Sequence, residues 1–111
     1  MNEKEVQNII IKKLKFMVLT GKVVWFKRLK SHQIGKYREG EPGDPDLVAV
    51  LNRDEGGLAL LYLEVKRPGV TKLRYEQREF FKSMENKKHV LCKLINDPNK
   101  LYEYIEDAAG S

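Results

Sequence analysis

The chain has 111 residues, 41% apolar and 33% charged, with 21 Lys and Arg against 16 Asp and Glu. That length holds one domain with one core, and no apolar run is long enough to span a bilayer. The polar start Met1-Asn2-Glu3-Lys4-Glu5 carries no signal-peptide pattern, and a lone cysteine, Cys92, cannot close an internal disulfide, so a cytoplasmic setting is expected.

The net charge of +5 is unevenly placed. No Asp or Glu occurs between Val6 and Arg38, a stretch holding Lys12, Lys13, Lys15, Lys22, Lys27, Arg28, Lys30, Lys36 and Arg38. A one-signed block fits a polyanion such as nucleic acid, or else a solvated basic face with no partner.

Residues 2 to about 19 read as a helix with Asn2 as its cap and Val6, Ile9, Ile10, Leu14 and Met17 as its apolar stripe. Glu3 and Glu5 suit its positive end. Glu3 lies near the line of the stripe, and Glu5 lies round to the side. After Gly21, Val23-Val24-Trp25-Phe26 reads as a strand. A tryptophan there is either core or a base-stacking platform, and Trp25 is expected in the core. Lys27 to Glu41 reads as a loop or irregular hairpin. Its Lys27, Arg28, Lys30, His32, Lys36, Tyr37 and Arg38 are expected to hold phosphates, with Tyr37 able to stack on an unpaired base.

Gly43 to Lys66 organises the rest. Gly43-Asp44-Pro45-Asp46 leads into the apolar run Leu47–Leu51, a polar turn closes on Gly56-Gly57, and a second run, Leu58–Leu63, ends in Glu64-Val65-Lys66. This spells a β-hairpin. Its runs are nearly continuous, so both faces are expected to be covered. In an antiparallel hairpin the start of one strand lies beside the end of the other, which brings Asp46 near Glu64 and Lys66. Two converging carboxylates are costly inside a protein unless they are paired or hold an ion. Oxygen donors of this kind suit Mg²⁺ or Mn²⁺, and a lysine beside the ion can orient a water for phosphodiester hydrolysis. The competing reading is a surface hairpin ending in a solvated Glu–Lys pair.

Thr71 reads as the cap of a helix from about Lys72 to Asn86, with Leu73, Phe80, Phe81 and Met84 as its apolar stripe and Gln77 inside it. A buried Gln must find hydrogen bonds, either with nearby backbone or with the site. Arg74, Arg78 and Lys82 mark an exposed face able to touch DNA. His89 to Ile95 reads as a strand with Cys92 as a buried thiol. Asp97-Pro98 starts a last helix to about Glu106, contacting the core through Leu101, Tyr104 and Ile105. Residues 1–107 are expected to form one domain, and 108–111 a disordered tail. No phosphate-binding P-loop, zinc-ligand spacing, EF-hand loop or nucleophile-elbow serine is present.

Pro45-Asp46, a hairpin, then Glu64-Val65-Lys66 resembles the PD-(D/E)xK nuclease core. The fuller pattern of Gly43, Pro45, Asp46, Leu47, Glu64, Lys66, Arg67, Pro68, Gly69 and Gln77 resembles the virus-type replication-repair nuclease (VRR-Nuc) family, from the first helix to about residue 95. The resemblance implies an α/β restriction-endonuclease-like fold, with a central mixed sheet flanked by helices. It implies a Mg²⁺- or Mn²⁺-dependent DNA endonuclease with Asp46, Glu64, Lys66, Gln77 and Glu3 as its site. Asp46, Glu64, the Val65 carbonyl and Glu3 would hold the metal, with Glu5 in reserve for Glu3. Gln77 would orient Lys66 or a metal-bound water. Arg67, Lys72 and Arg74 would join the basic loop in holding DNA. Small stand-alone members, often phage-encoded, look like structure-specific nucleases that include dimeric resolvases of four-way (Holliday) junctions. A homodimer acting on branched DNA, in a bacterial host's cytoplasm, is the expectation. A flap or restriction-like nuclease and a non-catalytic DNA-binding module are the alternatives.

Overall fold

The computed structural model describes residues 1–29 and 43–111, together with the backbone of residues 33–34 and 37–38. Helix α1 (Glu3–Leu19) starts where the sequence places it. Asn2 Oδ1 accepts from the Glu5 N–H at 2.9 Å, and Glu5 Oε1 accepts from the Asn2 N–H at 3.1 Å. This reciprocal pair satisfies two donors that a helix start leaves without partners. Val6, Ile10, Leu14 and Met17 form the buried stripe, and Ile9 sits half-buried at its margin.

Strand β1 (Val23–Arg28) runs two residues past the expected Phe26. The short β2 (Gln33–Ile34) and β3 (Tyr37–Arg38) pair antiparallel as a separate small hairpin. Strands β4 (Leu47–Asn52) and β5 (Leu58–Val65) form the central hairpin, and β6 (Val90–Ile95) completes the sheet. The order is β1-β4-β5-β6. β4 is antiparallel to both neighbours and β6 is parallel to β5, so the sheet is mixed. A parallel neighbour requires a crossover, and α2 (Tyr75–Met84) supplies it. A 3-10 turn at Pro98–Lys100, capped by Asp97 Oδ1 on the Asn99 N–H at 2.9 Å, leads into α3 (Leu101–Ala109).

The core lies between the sheet and the α1–α3 pair. Val6, Ile10, Leu14 and Met17 of α1 meet Leu47, Ala49, Leu51, Leu61, Leu63, Val65 and Ile95, and α3 adds Leu101, Ile105, Ala108 and Ala109. The opposite face carries α2, where the Tyr62 and Phe80 rings meet edge to face at 5.1 Å.

Four expectations are corrected here. The hairpin is not covered equally on both faces. Ala59, Leu61 and Leu63 are buried, whereas Leu60 and Tyr62 on the other face are half-buried and Leu58 is exposed. Helix α2 covers only part of that second face, meeting Tyr62 through Phe80 and leaving Leu58 exposed. Trp25 is not core: it is 51% exposed, on a strand at the sheet's edge. Helix α2 starts at Tyr75 rather than Lys72, and Thr71 is not its cap. Gln77, three residues into the helix, accepts from the Arg74 N–H at 2.8 Å and sets the start there. Finally, α3 continues to Ala109, and Ala108 and Ala109 are buried, so the expected tail begins inside the core. The Ala109 carbonyl also accepts from the Asp54 N–H at 2.9 Å.

Candidate active site

Asp46 is fixed by backbone before its side chain does anything. Its N–H donates to the Leu63 carbonyl at 3.0 Å, and its carbonyl accepts from the Leu29 N–H at 2.8 Å. The residue is thus clamped between the end of β5 and the end of β1. Its carboxylate Oδ2 accepts from the Val65 N–H at 2.7 Å, and the side chain is buried. The preceding turn is equally constrained. Gly43 has φ +94°, and a Cβ there would lie 2.6 Å from the Glu76 carbonyl oxygen of α2. Only glycine lets this turn pack on the helix.

Glu64, in β5, and Lys66, one residue past its end and still bonded to β6, fall on one face by strand alternation. Glu64 is 1% exposed, and its Oε1 accepts from Gln77 Nε2 at 2.7 Å. Lys66 Nζ donates to Gln77 Oε1 at 3.1 Å and lies 3.9 Å from Glu64 Oε1. One Gln amide therefore ties the carboxylate, the ammonium and the start of α2 together. The sequence left open whether Gln77 bonds backbone or the site, and it does both.

The Lys66 N–H donates to the Ile95 carbonyl on β6 at 2.9 Å. Val65, one residue earlier, therefore turns its backbone the other way. Its N–H reaches Asp46, and its carbonyl faces that same side. The result is two buried carboxylates, with a backbone carbonyl on the Asp46 side and the Lys66 ammonium 3.9 Å from Glu64. Charges of this kind are tolerated inside a protein when paired, hydrogen-bonded or bound to a cation. An all-oxygen donor set of this kind suits a hard divalent cation. No three His, Cys, Asp or Glu side chains converge among the described residues.

Glu3 is exposed. With Lys4, Gln7, Asn8 and Arg28 it lines a surface pocket of about 370 Å³ beside the end of β1. Glu5 is occupied by the α1 cap. Lys27, Arg28, Arg67, Lys72 and Arg74 are all exposed. Lys30, His32 and Lys36 lie outside the described residues, as do the side chains of Tyr37 and Arg38. Cys92 is half-buried rather than buried as expected, and its partial burial pushes the thiol up to about 11, which disfavours the reactive thiolate.

Two contributors went unread in the sequence. Asn96 Nδ2 donates to the Val70 carbonyl at 2.8 Å and ties down the segment that follows Lys66. The Leu29 N–H bonds the Asp46 carbonyl. Neither has a sequence signature, since each depends on which chain segments meet. Gly43 did have one, the Gly before the Pro-Asp turn.

A mixed sheet with a Pro-Asp turn, a central hairpin ending in Glu-x-Lys and a helical Gln across from them defines a nuclease core of the PD-(D/E)xK kind. The VRR-NUC domain model matches residues 6–95, and the chain belongs to that family. It is a nuclease domain, with DNA as its substrate. No curated protein matches the chain. Among the described residues, no helix is long and apolar enough to cross a membrane.

Proposed function

We propose that the chain is a divalent-metal-dependent, structure-specific DNA endonuclease with Asp46, Glu64 and Lys66 as its catalytic groups. One observation carries this reading. A buried Gln77 amide holds Glu64 at 2.7 Å and Lys66 at 3.1 Å, while Asp46 is held at 2.7 Å to Val65 between them in sequence. Asp46, Glu64 and the Val65 carbonyl would hold Mg²⁺ or Mn²⁺. Glu3 is the helical carboxylate left to reach it, directly or through water, because Glu5 is committed to its cap. The bound ion supplies Lewis-acid activation of the phosphate and of water.

The chain's own groups do the rest. Lys66 is fixed by Gln77 so that its ammonium orients the attacking water and stabilises charge building on the phosphoryl oxygens. Gln77 keeps Glu64 and Lys66 in register. Lys27, Arg28, Arg67, Lys72 and Arg74 hold the DNA backbone, together with Lys30, His32, Lys36, Tyr37 and Arg38. Such contacts position the duplex without reading its sequence.

A domain this small has few elements left for reading bases, which favours recognition of shape. The preferred substrate is a four-way junction. Cutting it on paired strands needs two sites related by a two-fold axis, hence a homodimer. Flap or restriction-like cutting by the same site is the competing assignment. Cleavage of labelled four-way junction, 5′ flap and linear duplex with Mg²⁺ or Mn²⁺, by wild type and Lys66→Ala, separates these. Junction cutting lost in the variant while binding persists is the expected result. Flap or duplex cutting keeps the chemistry and discards the junction. No metal-dependent cutting of any of the three would leave a DNA-binding module.

A further inference from the structure

The sheet face that carries the catalytic carboxylates also carries the chain's only tryptophan. In the strand register Trp25 pairs with Val50, and Val50 pairs with Leu60. Directly paired residues share a face. The next row on that face is Lys27, Val48 and Tyr62. Two residues further on come Asp46, just before β4, and Glu64, near the end of β5. Trp25 is therefore four residues from the carboxylate row, roughly 13 Å at the rise of a strand. That span is about four base steps of a duplex.

This end of the face, from the Trp25 row to Leu58, is left open by α2. Trp25 is 51% exposed, Leu58 is 55% exposed, and Val50 and Leu60 are half-buried. A large aromatic side chain held in water on an edge strand forgoes the burial that normally places it in a core. Charge indicates what covers it. Lys27 stands beside Trp25 on the same face, and no acidic residue occurs in the sequence between Val6 and Arg38. A second copy seated on Trp25 by a two-fold axis would bring Lys27 toward its own counterpart. A polyanion with flat faces would not.

We propose that Trp25, with Lys27, forms a stacking platform for an unpaired base of the bound DNA, within about four nucleotides of the cut. This rests on the nuclease reading above and adds the recognition of unpaired bases at a branch. Lys27 takes the adjoining phosphate, and the indole takes the base by its face, which any base offers. Such a platform favours flaps, splayed arms and opened junction centres over continuous duplex.

Trp25 is its own reporter, because no other tryptophan contributes fluorescence. With Ca²⁺ in place of Mg²⁺ to hold off cleavage, the chain is titrated with oligo-dT, a 5′ flap and a blunt duplex. Binding is followed in parallel by anisotropy of a dye on the DNA. The expected result is quenching by oligo-dT and flap and little change with duplex. Trp25→Thr, which keeps the strand preference, should weaken oligo-dT and flap binding about 5- to 100-fold. Its duplex binding should change less than about twofold, and Trp25→Phe should retain most of the affinity. DNA bound with unchanged fluorescence, or equal losses on all three DNAs, overturns the platform and leaves the nuclease reading standing. No DNA binding by anisotropy overturns both. Fluorescence that follows protein concentration and ignores DNA assigns Trp25 to self-association and overturns the platform.

Discussion

Gln77 is 1% exposed, and its amide meets Glu64, Lys66 and the Arg74 N–H. Gln77→Leu preserves its bulk and strips all three contacts. A buried polar group that loses its partner costs about 1–3 kcal/mol. Gln77→Leu should therefore lower stability by at least about 2 kcal/mol in urea unfolding. It should also slow cleavage at least about tenfold, because Lys66 loses its fixed position. Unchanged cleavage in a folded Gln77→Leu protein would remove Gln77 from the mechanism. A glutamine inside an apolar helical stripe is legible as an anomaly in the sequence. Its partners are not, because Glu64 lies 13 residues away and only the packing of α2 on β5 joins them. Trp25 shows the reverse. Its strand preference was plain, but burial depends on whether the strand is at an edge and whether a helix covers it. Neither is written in the residues around it.

At the scale of elements, the turn before β4 and helix α2 position each other. Gly43 brings the turn against the Glu76 carbonyl in a backbone conformation that a side chain strains. Gly43→Ala should cost at least about 2 kcal/mol, adding a φ penalty to a close contact with main chain that cannot swing aside. Denaturant midpoints compare it with Gly21→Ala, where φ is +83° and no atom lies within 4 Å of the added Cβ. Equal losses at both sites would mean that the turn does not depend on α2. The alternation of apolar and charged runs was enough to place α1, the β4–β5 hairpin, β6 and the start of the last helical stretch. The start of α2 and the end of α3 were missed for different reasons. The start of α2 is set by a local contact, Gln77 reaching back three residues to the Arg74 N–H, and the end of α3 by Ala109 accepting from Asp54 on the hairpin turn.

Across the whole molecule the sheet separates two tasks. One face is sealed by α1 and α3 and holds the core. The other is partly covered by α2 and carries Asp46, Glu64 and Lys66, with Trp25 and Lys27 further along it. Stability is concentrated on the first face, which frees the second to keep buried charge that an apolar interior would reject. On the proposed reading, this second face binds a divalent cation through Asp46 and Glu64. Asp46→Asn removes the charge and keeps an oxygen for the Val65 N–H, so it tests the ion without dismantling the turn. The measurement is calorimetric titration of Mn²⁺ into wild type and Asp46→Asn, with thermal melting of both alongside. The expected result is saturable binding to the wild type, weakened at least about tenfold in the variant, with Mn²⁺ raising the melting temperature of the wild type alone. No saturable binding to the wild type, or equal binding to both proteins, would contradict a metal site at these carboxylates.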